Sequence, residues 1–132
     1  MRYGSTYCLN GREYRLLYTA DAYFDINEAM GEDFMDKLVS AGRESYETAL
    51  GCFIILHREG ELARRYMGYD AENIVTEGEL RRTILPGDII GIKSAVLEAI
   101  YSGLKIERTK EDGPIDAGLA EYEKKTQSAK SP

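Results

Sequence analysis

Residues 3–18 read YGSTYCLNGREYRLLY, and this stretch decides the fold. Asn10-Gly11 favours a type I′ turn, because both central positions of that turn need a positive φ. The flanking runs, 3–9 and 12–18, therefore predict an antiparallel hairpin. A two-residue loop fixes the register, which gives the pairs Leu9/Arg12, Tyr7/Tyr14, Ser5/Leu16 and Tyr3/Tyr18. One face collects tyrosine and leucine side chains, and helices must cover it because an isolated hairpin is marginally stable.

Helical periodicity follows the hairpin. Helices are predicted at about 21–30, 33–39, 44–58, 76–84 and 86–103, with a short helical piece at 62–67. Thr19 or Asp21 caps the first helix and Gly31 ends it. Thr76 and Glu79 have the spacing of a capping box. The fold class is thus α+β: an N-terminal hairpin packed on a bundle of four to five helices.

The packing of three helices can also be predicted. The first buries a stripe of Tyr23, Ile26 and Met30, with Phe24 beside it. The helix at 44–58 is apolar nearly all round, which places it at the centre of the core. The last helix buries an apolar side made of Ile89, Ile90, Ala95 or Val96, Leu97 and Ile100.

One domain is expected over 1–104, followed by a flexible polar tail at 105–132 that carries six basic and six acidic residues.

Composition excludes several classes of protein. The 132 residues carry a net charge of −6, which argues against a nucleic-acid binder. Two cysteines and one histidine cannot build a standard zinc site. No run is long and apolar enough for a membrane span or a signal core. No phosphate-binding, nucleophile-elbow or metalloprotease motif occurs. A cytoplasmic protein without cofactor, metal or catalytic residues is expected.

The acidic excess lies in one place. Six acidic residues and no basic residue fall between Asp21 and Asp36. Asp21, Asp25 and Glu28 share one stripe of the first helix. That stripe can be a solvated face, a protein-contact patch or a cation site, although helical carboxylates alone leave most of a coordination shell unfilled.

His57 and Cys52 are the side chains with the most chemistry to offer. A histidine near the end of the core helix is a general base, a metal ligand, or a residue of the core or its rim. No second histidine or nearby nucleophile supports the first two interpretations. Cys52 lies among apolar neighbours, which favours a small buried residue over a reactive thiol.

Ten tyrosines suit surfaces that become buried with a partner. Tyr66, Tyr69 and Tyr101 are predicted at an interface.

The order of these parts resembles the tail assembly chaperones of long-tailed bacteriophages and prophages. The likeness covers about residues 8–103: GREYRL at 11–16, DAYFDINEAMG at 21–31, a short apolar helix, the apolar run 49–56, and LPGD at 85–88 leading to AVLEAI at 95–100. The family has no catalytic residues to transfer. The resemblance implies an assembly factor of the host cytoplasm, not expected in the mature virion. Such a factor keeps the tape-measure protein soluble and leaves as tail-tube subunits polymerise.

That implied function has two further consequences and two rivals. The client would bind to a tyrosine-rich apolar surface beside the acidic stripe. Self-association into a homo-oligomer is compatible with a coat protein. The first rival is a small acidic regulatory or anti-defence protein, which needs carboxylates along an elongated face. The second is an enzyme or accessory subunit, which needs a pocket where His57 meets carboxylates.

Overall fold

The computed structural model describes residues 4–69 and 72–104. Over these residues the chain forms a two-stranded antiparallel sheet and five helices, which confirms the α+β prediction. The elements are β1 (Ser5–Leu9), β2 (Arg12–Leu16), α1 (Ala20–Met30), α2 (Phe34–Val39), α3 (Arg43–Tyr66), α4 (Glu77–Thr83) and α5 (Asp88–Gly103). The predicted polar tail at 105–132 lies outside the described residues.

The hairpin has the predicted turn and register. Asn10 and Gly11 have φ values of 54° and 80°, as a type I′ turn requires. Tyr7 pairs with Tyr14 and Ser5 pairs with Leu16. The covered face is the predicted one, since Leu9, Tyr14 and Leu16 are buried. The hairpin packs on α3 through β2 and on α5 through β1.

Helix α3 is the centre of the domain and packs against β2 and all four other described helices. It runs to Tyr66 without a break, so the prediction of two separate helices at 44–58 and 62–67 was wrong. Gly60 lies within this continuous helix, where β2 crosses α3. A Cβ there would lie 2.7 Å from the carbonyl carbon of Arg15. The glycine lets β2 cross α3 closely, and the Leu17 N–H donates a 3.1 Å hydrogen bond to the Leu56 carbonyl.

Helix α1 begins and ends as predicted, capped by the Thr19 side chain and followed by Gly31 with φ 97°. Of its predicted stripe, Ile26 is buried and Met30 packs against the core, whereas the prediction was wrong for Tyr23. Ala22 and Ile26 are fully buried, whereas Tyr23 is 46% exposed and Phe24 is 65% exposed. The helix contacts α3 through positions four residues apart, and the Met30 methyl fills the space beside Gly51, so the two aromatic rings are rotated outward.

Helices α4 and α5 close the domain. The predicted capping box is present: the Thr76 hydroxyl accepts from Glu79 N–H, and the Glu79 carboxylate accepts from Thr76 N–H. On α5, Leu97 and Ile100 are buried as predicted, but Ile90 is 65% exposed. It precedes the part of α5 that faces the core, which begins at Ile92. No helix within the described residues combines the length and the apolar character that crossing a bilayer would require.

Candidate functional site

The outward side of α1 carries two exposed aromatic rings among acidic residues. The rings of Tyr23 and Phe24 are 5.2 Å apart and meet edge to face, and Tyr18 lies 6.4 Å from Tyr23. Asp21 and Glu28 are exposed on the same helix, three residues before and four residues after Phe24. Those spacings place both carboxylates next to the Phe24 ring. We call this set of five residues the α1 surface.

Hydrogen bonds of Thr19 hold the start of α1 against α3. The Thr19 hydroxyl accepts a 3.1 Å hydrogen bond from Ala22 N–H and donates a 2.8 Å hydrogen bond to the Glu59 carboxylate of α3. The first turn of α1 is therefore capped and tied to the central helix at once. A surface held this way loses little conformational freedom when a partner binds.

Asp25 differs from the other two members of the predicted acidic stripe. Its carboxylate accepts a hydrogen bond from the Arg58 guanidinium on α3. Arg58 also lies 3.5 Å from Glu59. Asp25 thus joins α1 to α3, while no ion pair engages Asp21 or Glu28 within the part of the chain that the structure describes.

The three predicted interface tyrosines are not brought together. Tyr66 is 91% exposed and Tyr69 is 61% exposed, and both lie at the end of α3 beside the half-exposed Met67. The prediction was wrong for Tyr101, which is 1% exposed. Tyr101 is four residues after the buried Leu97, so it shares the inward side of α5.

A second polar cluster lies inside the domain, around His57. The imidazole is fully buried, and its Nε2 accepts a 2.9 Å hydrogen bond from Val75 N–H. One turn along α3, Glu61 accepts a 2.8 Å hydrogen bond from Glu72 N–H. The guanidinium of Arg12 lies 3.8 Å from Glu61 and 3.2 Å from Glu72. These contacts fasten the segment 72–76 to α3 and β2.

The electrostatics of this cluster favour a structural role. Burial, together with the nearby Arg12 charge, lowers the pKa of His57 to about 4, and the Glu61 carboxylate opposes part of this change. The imidazole is therefore neutral at pH 7. Its Nδ1 is buried without a hydrogen bond, and its Nε2 is occupied by the backbone. A histidine engaged in this way is poorly placed to move protons.

A cavity of about 540 Å³ lies next to this cluster and is lined by Arg12, Tyr14, Asn73, Ile74, Val75, Glu79 and Thr83. His57 is not in its wall. Arg12 has its charge directed at Glu61 and Glu72 and donates a hydrogen bond to the Asn73 carbonyl. The cavity thus presents a cation that is already neutralised, which gives an anionic ligand little to bind.

Within residues 4–69 and 72–104, no group of three side chains of the ligating types could hold a metal ion. The acidic stripe therefore fits the protein-contact or solvated reading better than the cation reading. Cys52 is buried as predicted, and burial raises the pKa of its thiol to about 12.

Sequence reasoning missed the exposure of Tyr23 and Phe24, the two aromatic residues that α1 contributes to the α1 surface. Periodicity places Tyr23 in the buried stripe with Phe24 beside it, although Asp21 and Glu28 neighbour Phe24 on the helix at i−3 and i+4. That spacing was the available signal. A ring flanked by charges at i−3 and i+4 faces solvent more readily than core.

Comparison with protein-family models, with curated proteins and with solved structures gives no match.

Proposed function

We propose that this chain is a non-enzymatic tail assembly chaperone of long-tailed bacteriophages, which binds the tape-measure protein and keeps it soluble during tail assembly. The observed order of hairpin, acidic helix, short helix, central helix and final helix agrees with the order on which the resemblance rests. The site of action would be the host cytoplasm.

The observation that carries this proposal is the α1 surface. Two neighbouring rings are exposed on a capped helix, and they are flanked by Asp21 and Glu28, which form no ion pair with any described residue. A patch of exposed aromatic side chains is typical of a protein-binding surface. An amphipathic client helix can lay its apolar side on Tyr23 and Phe24, while basic residues at its edges meet Asp21 and Glu28.

Tyr66 and Tyr69 supply a second candidate surface. They lie beyond the point where α1 contacts α3: Tyr66 is seven residues after Glu59, about 10 Å along the helix axis. A coat around a long client needs a contact between copies as well as a contact with the client. We assign these tyrosines to self-association or to the tail-tube protein.

Co-expression tests the proposal. The tape-measure protein of the same phage or prophage is produced alone, with this chain, or with the double variant Tyr23→Ser/Phe24→Ser. We expect the tape-measure protein to stay in the supernatant only with the unaltered chain. Ile90→Ser is the matched control, because Ile90 and Phe24 are each 65% exposed but lie on different helices.

Two outcomes would contradict the proposal. If the tape-measure protein precipitates equally with and without this chain, the chain does not act as its chaperone. Equal loss of solubility with the α1 variant and the Ile90 control shows that the α1 surface is not the client site. Binding to a nuclease or repressor instead would favour the rival reading, a small acidic regulatory protein.

A further inference from the structure

We propose that the chain's own residues 105–110, which we call the basic arm, occupy the α1 surface and compete with its partner. This inference concerns the regulation of the surface assigned above to the client, and in that respect it rests on the proposed function. Three observations carry it: the exposed rings, the place where the described chain ends, and the charge of the residues that follow.

Helix α5 ends next to Tyr18, which belongs to the α1 surface. A Cβ on Gly103 would lie 2.6 Å from the Cβ of Tyr18 and 2.8 Å from its carbonyl oxygen, so the end of α5 is in close contact with Tyr18. Tyr18 in turn contacts Tyr23 at 6.4 Å. The next residue, Leu104, is 36% exposed and is the last one described.

The reach of the basic arm is sufficient. Six residues extend to about 20 Å. The ring of Phe24 is 5.2 Å from that of Tyr23, which is itself next to Tyr18. The arm can therefore pass over both rings without any rearrangement of α5.

The charge of the arm is complementary to that of the surface. Residues 105–110 read KIERTK, with three basic residues and one acidic residue, whereas 111–123 carry five acidic residues and no basic residue. The positive charge thus lies in the first six residues after Leu104, and the negative charge follows later in the sequence. Ile106 is the apolar residue that would cover the aromatic rings, as the client would.

An occupant tethered this closely has a high effective concentration and needs little intrinsic affinity. It would shield two exposed rings when no client is present, which limits aggregation. A client must then displace the arm. If the arm occupies the surface about nine-tenths of the time, the apparent affinity for the client falls about tenfold.

Paramagnetic relaxation in the full chain tests the docking without a client. A nitroxide is attached at Thr109→Cys in a Cys8→Ser background, since Cys52 is buried. We expect broadening of the amide signals of Phe24 and Glu28, and its loss in the variant with Lys105→Ser, Arg108→Ser and Lys110→Ser. The reference signals are those of Asn10 and Gly11 in the hairpin turn, which lies about 20 Å from Tyr18 along β2.

Three results would overturn the inference. One is broadening at Phe24 and Glu28 no greater than at the hairpin turn. Another is broadening unchanged by the three serine substitutions. A third is equal broadening when the nitroxide is on one chain and the ¹⁵N label on another, because a second copy is then the occupant.

A client titration separates this inference from the proposed function. With a basic amphipathic segment of the tape-measure protein, the triple serine variant should bind about tenfold more tightly than the unaltered chain. Arm-dependent broadening together with no binding of any segment would uphold the docked arm and reject the chaperone function. Binding of equal strength to both chains would uphold the function and reject the competing arm.

Discussion

The imidazole of His57 and the backbone of Val75 are joined by a 2.9 Å hydrogen bond in which the histidine is the acceptor. The bond fixes the segment 72–76 on α3, and it exists only while Nε2 carries no proton. Stability should therefore depend on pH through a residue that takes no part in the proposed recognition.

The free energy of unfolding should fall between pH 6.5 and pH 4. In the unfolded chain His57 takes up a proton near its ordinary pKa of 6.5, whereas in the folded chain it does so near 4. Stabilisation from this residue is present above pH 6.5 and is lost as the pH falls toward 4, by an amount on the order of 3 kcal/mol. His57→Gln keeps an acceptor without a proton to titrate, so its urea-unfolding free energy should decline less over this range. Equal slopes for the two proteins would contradict the assignment.

Alanine substitutions at Gly60 and Gly78 should change the stability of the domain in opposite directions, because β2 crosses α3 closely only at Gly60. Gly60→Ala should destabilise the domain by about 1–3 kcal/mol, because the new Cβ meets the Arg15 backbone. Gly78→Ala on α4 is the control: the nearest atom to a Cβ there is 4.0 Å away, and alanine should raise stability by about 0.5–1 kcal/mol. Urea titration measures both. A neutral Gly60→Ala would show that the strand does not lie against the helix here.

The two cysteines should differ in reactivity. Cys8 is exposed on the hairpin, whereas Cys52 is buried and its thiol has a pKa of about 12. A thiol reagent should modify Cys8 in the native protein and both residues after unfolding. The Cys8→Ser variant should remain unmodified until it unfolds. Rapid native labelling of that variant would show that the core around α3 opens readily.

The carboxylates of α1 should contribute unequally to client binding. Asp21→Asn combined with Glu28→Gln should weaken binding about fivefold at low salt, because each exposed charge contributes a few tenths to 1 kcal/mol. Asp25→Asn should leave the affinity nearly unchanged, since that carboxylate is paired with Arg58. Affinity measured at two salt concentrations tests this difference. The reverse order would assign Asp25 to the interface.

Features set by a few neighbouring residues were predictable from the sequence. The Asn10-Gly11 turn determines the hairpin register, and the Thr76/Glu79 pair determines the start of α4. The acidic character of α1 was equally visible. These signals work because the interactions that enforce them span four residues or fewer.

Features that depend on distant parts of the chain were not predictable. Whether Ala22 or Tyr23 faces inward depends on how α1 meets α3, and the lack of a side chain at Gly60 matters only because β2 lies against α3 there. Tyr101 was assigned to the surface from its residue type alone. The approach of the Gly103 end of α5 to Tyr18 joins positions 85 residues apart in the chain. No local pattern contains that information.

Calorimetric titration of the chain with tape-measure segments tests recognition through the α1 surface most directly. Phe24→Ser should weaken binding of the segment by about tenfold or more, as truncation of an aromatic anchor does. Ile90→Ser should bind as tightly as the unaltered chain, and both variants should unfold at the same urea concentration as it does. If Phe24→Ser binds as tightly as Ile90→Ser, the α1 surface is not where this protein meets its client.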